Sequence, residues 1–303
     1  MNEEALEFTG ERFTPECVRE IWYEHWHRYA FARSLVTGKR VLDAACGEGY
    51  GSALLAETAA DVVGVDIAPA AVAHARARYG TSERLRFECA DAADLPFESR
   101  AFDVVVSFET LEHLAAQEQL LAGFARVLAD DGVLLISSPD KRTYSEVAGF
   151  RNEYHVRELY REELLGLLKA HFPHIQLYGQ KLLFQSVLWN LESAATSGEA
   201  WTAADAGDTI TPGLSYAPMY FIAICTKQTL PPQLPALSLF GDREESVYAH
   251  YNHEIRKNMG AGARIAELEA EVARLRAMPA AAAASDAPVS RDWRWWRRNR
   301  PSE

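Results

Sequence analysis

The sequence predicts an α/β fold: a mostly parallel seven-stranded sheet, helices on both of its faces, and a helical extension toward the C-terminal end. Three observations predict it. Short apolar runs alternate with helix-period segments through the first half of the chain. A glycine turn, Gly47-x-Gly49-x-Gly51, joins the first apolar run to a helix. Acids close three successive runs, at Asp43, Asp66 and Asp91.

The elements follow in order. Residues 1–38 form an N-terminal helical lid, with Trp22, Trp26, Tyr29, Ala30 and Arg33 at helical spacing. The main domain spans 39–227. Val41 and Leu42 open its first strand, and a helix runs from Ser52. Further strands are read at 61–66, 85–91, 102–109 and 132–138, with crossover helices over 54–59, 70–79 and 117–129. The last two strands are 175–178 and 220–225. The long acidic loop at 196–208 is a candidate lid on the acceptor side. A proline-rich linker covers 228–242, a helix with a short coiled coil 243–278, and a low-complexity linker with a basic Trp/Arg tail 279–303.

The glycine turn implies a nucleoside-bearing ligand. Its residues let the backbone turn sharply, and the helix behind it points free N–H groups at whatever binds. A dinucleotide loop reads G-x-G-x-x-G, whereas here Ser52 stands at the third glycine. Asp43, just before the turn, would repel a pyrophosphate but suits a cationic amine. S-adenosylmethionine has such an amine, a carboxylate, a sulfonium and no phosphate. The run D-A-A-C-G-E-G-Y-G resembles the first motif of class I S-adenosylmethionine-dependent methyltransferases. That resemblance implies a Rossmann-like methyltransferase fold and S-adenosyl-L-methionine as cofactor. An acid at the end of the second strand, here Asp66, reaches ribose hydroxyls. The resemblance assigns Asp91 and Ala92 to the adenine amino edge, and Tyr29 to a lid over the methionine part, with Arg28 beside it. The full cofactor-binding set is Tyr29, Asp43, Ala44, Cys46, Gly47, Gly49, Asp66, Ile67, Asp91, Ala92, Phe108 and Glu109. Cys46 reads rather as a small buried filler, while Tyr29 reads equally as part of an ordinary amphipathic helix and each strand-end acid as a helix cap.

Ligands of open α/β sheets lie beyond the carboxyl ends of the strands. Beyond the fourth strand stand Glu109, Glu112 and His113, with His155 further on. His113 and His155 are the candidate catalytic residues, as bases or as groups that orient the acceptor. The competing reading of His113 is a helix-start histidine packed on the sheet. Two carboxylates and two imidazoles can also hold Mg²⁺ or Mn²⁺. The Glu-x-x-Glu-His pattern with a later His resembles metal-assisted ribose methyltransferases and some quinone O-methyltransferases. A divalent metal is therefore possible, and no metal ligand is assigned.

Composition narrows the setting. The 303 residues carry a net charge of −12, which argues against a broad nucleic-acid surface. Four cysteines without CxxC spacing indicate a reduced protein without a zinc site. Residues 1–10 are polar and acidic, unlike a signal peptide, and no apolar run is long enough to span a bilayer. The expected location is cytoplasmic, or peripheral at the inner membrane face. Ile265, Leu268, Val272 and Leu275 form a heptad seam of about two repeats, a site for homo-oligomerisation or for docking on the domain. The tail Arg291-Asp-Trp-Arg-Trp-Trp-Arg-Arg-Asn-Arg300 suits an anionic membrane surface or a partner protein.

The order methyltransferase, coiled coil, Trp/Arg tail resembles enzymes that accompany glycosyltransferases in surface-polysaccharide assembly. The resemblance implies O-methylation of a sugar hydroxyl on a nucleotide sugar or glycan. It also implies contact with a glycosyltransferase or a membrane surface through the tail. A quinone-like or amino acceptor is the alternative within enzymes, and a non-catalytic cofactor-binding scaffold the alternative outside them.

Overall fold

The computed structural model describes residues 20–188, 190–191, 198–204, 208–232 and 234–277. The Trp/Arg tail and the opening nineteen residues lie outside them. The chain divides into two compact units, residues 1–244 and 245–303.

The first unit begins with α1 (Glu20–Val36). It continues through β1 (Arg40–Ala44), α2 (Tyr50–Ala56), β2 (Asp61–Asp66), α3 (Pro69–Tyr79), β3 (Leu85–Cys89) and β4 (Phe102–Ser107). A 3₁₀ turn, Leu111–His113, leads to α4 (Gln117–Val127) and β5 (Leu128–Pro139). A π-helical turn, Arg142–Val147, precedes α5 (Arg161–Lys169), β6 (His174–Gln180), β7 (Trp201–Ala204), β8 (Thr209–Pro212) and β9 (Tyr220–Thr226). The second unit is described by α6 (Ser246–Ala277), a single helix of 32 residues.

Seven strands form one sheet in the order β3-β2-β1-β4-β5-β9-β6. β3, β2, β1, β4 and β5 pair in parallel, and β9 runs antiparallel between β5 and β6. The mostly parallel seven-stranded sheet read from the sequence is the one observed. The central strands are apolar on both faces, as strands covered on both sides must be. In β1, Val41 packs with α1, α2 and α3, while Leu42 and Ala44 pack with α4 and α5 on the opposite face. The same alternation runs through Val104, Val105 and Val106 of β4. Chain order reverses between β1 and β4, which opens a crevice at their carboxyl ends.

Three local readings shift. α2 starts at Tyr50 and ends at Ala56, so the helix is set earlier than 54–59. β3 ends at Cys89, which leaves Asp91 in the loop beyond it. Within the segment read as a loop at 196–208, Trp201–Ala204 pairs antiparallel with Thr209–Pro212. The β-branched Thr202, Thr209, Ile210 and Thr211 favour that pairing.

The proline-rich segment packs on α1. Phe240 stacks on His27 at 5.5 Å and meets Trp22 at 5.7 Å, His27 Nε2 lies 2.9 Å from Ser238 Oγ, and the Tyr178 hydroxyl donates to Pro235 O. In α6, Ile265, Leu268, Val272 and Leu275 are all exposed. No helix among the described residues is long and apolar enough to cross a membrane.

Candidate functional site

Both strands that flank the crevice end in strain. Ala45, after β1, has φ 62°, and Glu109, after β4, has φ 51°. A non-glycine residue in the left-handed region costs about 1–3 kcal/mol and tends to mark functional positions. Between these lips the chain makes the glycine turn, with Gly49 at φ 94°. A Cβ on Gly49 would also lie 2.8 Å from Ala75 Cβ and from the Phe87 ring, so only glycine fits there.

Two carboxylates brace the turn. Asp43 is fully buried, accepts from the Tyr29 hydroxyl at 3.1 Å and from Ser52 Oγ at 2.6 Å. Burial raises its pKa to about 6 against the opposing effect of those two hydroxyls. Asp66 accepts from Gly47 N at 3.0 Å and Ala68 N at 2.9 Å, which ties the turn to the end of β2. A carboxylate has about four acceptor positions, so the bonds that brace the turn do not by themselves fill either acid. Ala44 and Cys46 are buried, and the Cys46 N–H donates to Val65 O. Ile67 is 68% exposed beside Asp66, an apolar surface that a flat base can cover. Asp91 accepts from Ala93 N in the loop after β3, next to the buried Ala92.

Tyr29 meets the Phe108 ring edge-on at 5.1 Å. Its neighbour Arg28, outside the set assigned from the sequence, is only 2% exposed. Its Nε donates to Gln180 Oε1 at 2.8 Å, its guanidinium lies 4.4 Å from the Tyr220 ring centre, and Nη2 is 3.6 Å from Glu109. Nη1 and Nη2 make no hydrogen bond among the described residues. Glu24, one helical turn before, has its pKa pushed up to about 7 by burial, with Arg28 opposing. Glu109 exchanges bonds with Ser137, whose Oγ accepts its N–H at 2.9 Å and donates to Oε1 at 2.6 Å.

His113 and His155 are brought together by backbone. Glu112 O accepts from Val156 N at 2.8 Å and Arg157 N at 3.0 Å, which pins the 152–158 loop to the 3₁₀ turn. The imidazole centres are then 5.0 Å apart, edge to face, with Tyr144 stacked on His155. His113 Nδ1 donates to Tyr154 O at 3.0 Å, since a carbonyl only accepts. His155 Nδ1 lies 2.6 Å from Glu158 Oε1, and Asn152 Nδ2 lies 3.0 Å from its Nε2. Glu112 is fully buried, and its pKa is driven well above the usual carboxylate range by that burial and by Glu109. One ligand atom from each of Glu112, His113 and His155 lies within 4.8 Å of the others.

A cleft of about 1650 Å³ adjoins Arg28, Glu24, Gln180 and Asp140, and extends between Leu177, Leu214, Phe221 and Phe240. None of the glycine-turn residues lines it.

Residues 42–136 match the family model described as a methyltransferase domain. The chain is 40% identical over 169 residues to a Mycolicibacterium smegmatis protein named probable S-adenosylmethionine-dependent methyltransferase, covering 55% of this chain and 65% of that relative. It is 30% identical over 129 residues to a ubiquinone biosynthesis O-methyltransferase of Azorhizobium caulinodans, covering 42% of this chain and 51% of the relative. The chain thus spans just under two thirds of the first of these relatives and about half of the other. A solved complex of the Haloferax volcanii Trm112 methyltransferase activator with a methyltransferase shares the fold, with TM-score 0.50, 19% identity, and coverage of 68% of this chain and 91% of that one. Residues 42–136 are thus similar to a methyltransferase domain, and the seven-stranded sheet that carries them has the Rossmann-like methyltransferase fold.

Proposed function

We propose that the chain is an S-adenosylmethionine-dependent methyltransferase that O-methylates a sugar hydroxyl of a nucleotide sugar or glycan. One observation carries the reading: the turn after β1 is braced by two carboxylates, and the segment after the neighbouring β4 brings in a pair of histidines whose rings are 5.0 Å apart. Two acids beside the turn disfavour a pyrophosphate and suit an amine and ribose hydroxyls. Asp43 receives the amine, Asp66 the ribose, and Ile67, Asp91 and Ala92 the adenine. The Nη groups of Arg28, which make no hydrogen bond among the described residues, receive the carboxylate in a two-point bond. When bound, S-adenosylmethionine supplies a methyl group already activated on a sulfonium.

The remaining tasks fall to the chain: alignment, exclusion of water and removal of the hydroxyl proton. His113 and His155 orient and deprotonate the acceptor. The Tyr154 carbonyl fixes the His113 proton on Nδ1, so Nε2 presents a lone pair. The cleft beside Arg28, which neither His113 nor His155 lines, exceeds the roughly 300–1,000 Å³ of a small-ligand pocket and has room for the remote part of an extended acceptor such as a glycan. Its apolar walls at Leu177, Leu214 and Phe240 favour a second reading, a quinone-like phenol.

Mass spectrometry of products from nucleotide sugars, lipid-linked glycans and prenylated phenols tests both readings. A mass gain of one methylene on a saccharide is expected. Gain only on the phenols selects the second reading. No calorimetric signal with S-adenosylmethionine would end both.

A further inference from the structure

We infer that Glu48 is a positioning residue for the methyl donor: its buried carboxylate anchors the glycine turn to α3 and thereby sets how tightly the crevice holds S-adenosylmethionine. This role rests on the proposed donor, and it names the side chain that prepares the donor's site.

A turn built on glycines is hard to hold still. Gly47 and Gly49 have φ of 58° and 94°, and neither offers a side chain for the fold to grip. Glycine also loses more backbone freedom on ordering than any other residue. The backbone of the turn is tied at Gly47, whose N–H donates to Asp66, and at Gly49, whose N–H donates to Cys46 O at 3.1 Å. The side chain between these two glycines is that of Glu48.

That side chain meets α3 three times. The Tyr79 hydroxyl donates to Glu48 Oε1 at 3.1 Å. His74 Nε2 donates to Oε2 at 3.0 Å, since an ionised carboxylate only accepts. Arg78 Nη1 lies 3.6 Å from the same oxygen. Burial raises the pKa of Glu48, while Arg78, Tyr79 and His74 oppose the rise and favour the charged form. Glu48 is only 1% exposed, so it acts on a ligand through the backbone on either side of it rather than by contact.

The helix on which Glu48 pulls is itself fixed. Ala68 N, at the start of α3, donates at 2.9 Å to Asp66, the same acid that holds Gly47. Arg76 Nε donates to Phe87 O at 2.8 Å and fastens the helix to β3. Val72 and Ala75 are buried in the core beneath it. The turn is thus held at Gly47 from the end of β2 and at Glu48 from α3. Binding groups work when outer hydrogen bonds keep them within about 0.5 Å of the productive geometry. A turn released from α3 would have to be ordered by the ligand, and that ordering subtracts from affinity.

The test is calorimetric titration of the full chain with S-adenosylmethionine, paired with thermal melts. Glu48→Ala should weaken affinity about 10-fold and Tyr79→Phe about threefold. The double variant should lose less than the two losses combined, because both changes cut one linkage. Phe172→Leu opens a cavity in the core cluster on the other face of the sheet. It should lower the melting temperature yet leave affinity within about twofold, which separates positioning from a general loss of stability. In turnover, Glu48→Ala should raise the KM for the donor and leave the KM for the acceptor unchanged. If Glu48→Ala fails to fold, Tyr79→Phe and His74→Ala decide, and unchanged affinity in both overturns the role. Unchanged affinity in a folded Glu48→Ala, or an equal loss in Phe172→Leu, overturns it as well. Those outcomes leave the proposed function standing, whereas a wild-type chain without affinity for S-adenosylmethionine ends the proposed function and this role together.

Discussion

The guanidinium of Arg28 lies 3.6 Å from the carboxylate of Glu109, a residue whose own backbone is held in the left-handed region. This pair joins the N-terminal helix to the end of β4, where the crevice opens. Arg28 is nearly inaccessible to solvent, yet both of its Nη groups lack hydrogen bonds among the described residues. A buried guanidinium in that state is prepared for a carboxylate.

Arg28→Met should therefore weaken S-adenosylmethionine binding by about 10- to 100-fold, the worth of a charge-assisted bond of roughly 1.5–3 kcal/mol. Arg28→Lys should recover only part of it, because an ammonium lacks the planar fork. Calorimetric titration of the three proteins checks this, and equal affinity in Arg28→Met would remove the assignment.

Asp43 should make the stability of the cofactor-free chain depend on acidity. Its folded pKa is raised to about 6, above the ordinary 3.8. The stabilisation is complete below about pH 4 and disappears as pH rises through 6, about 3 kcal/mol in all at 1.36 kcal/mol per unit. Glu24 acts in the same direction, with a folded pKa of about 7. The difference in melting temperature between wild type and Asp43→Asn across pH 4–7 isolates the Asp43 share. Cofactor affinity should move oppositely, rising through pH 6 as the carboxylate ionises to meet the amine.

Gly51→Ala should damage both stability and cofactor binding. A Cβ at Gly51 would intrude on the Tyr29 ring, where α1 and α2 touch. Overpacking of this kind costs about 1–3 kcal/mol. Its relief by a shift of α1 would break the Tyr29–Asp43 bond. Thermal melts read the first effect and calorimetry the second. An unchanged melting temperature would show that α1 yields without cost.

The seam of α6 should mediate self-association. Ile265, Leu268, Val272 and Leu275 are exposed along one helix, an apolar stripe that a second copy can cover. Sedimentation velocity should find a dimer that Leu268→Lys with Val272→Lys converts to monomer. A monomeric wild-type chain at tens of micromolar would exclude this role.

The glycine turn and the acids at the ends of β1 and β2 were legible because each is a local pattern on consecutive residues. Asp91 was legible as an acid but not as a strand end, since β3 stops at Cys89. Arg28 was read only as a companion of Tyr29 in the lid, because its contacts are distant in sequence: Gln180, Tyr220 and Glu109 meet it only through the fold. The meeting of His113 with His155 was visible as a pattern, but its cause is the backbone oxygen of Glu112, which no side-chain motif records. The hairpin at Trp201–Ala204 was hidden by small and acidic residues that read as loop.

Tyr29 and Arg28 are successive residues of α1, one bonded to Asp43 beside the turn, the other lining the cleft. A rigid helix carries both contacts together, so neither pocket can be loosened alone. On the proposed methyl transfer, the expected kinetic consequence is ordered turnover, with the donor seated before the acceptor and the spent donor departing last. Product inhibition patterns would carry the signature of a short helix acting as a single latch.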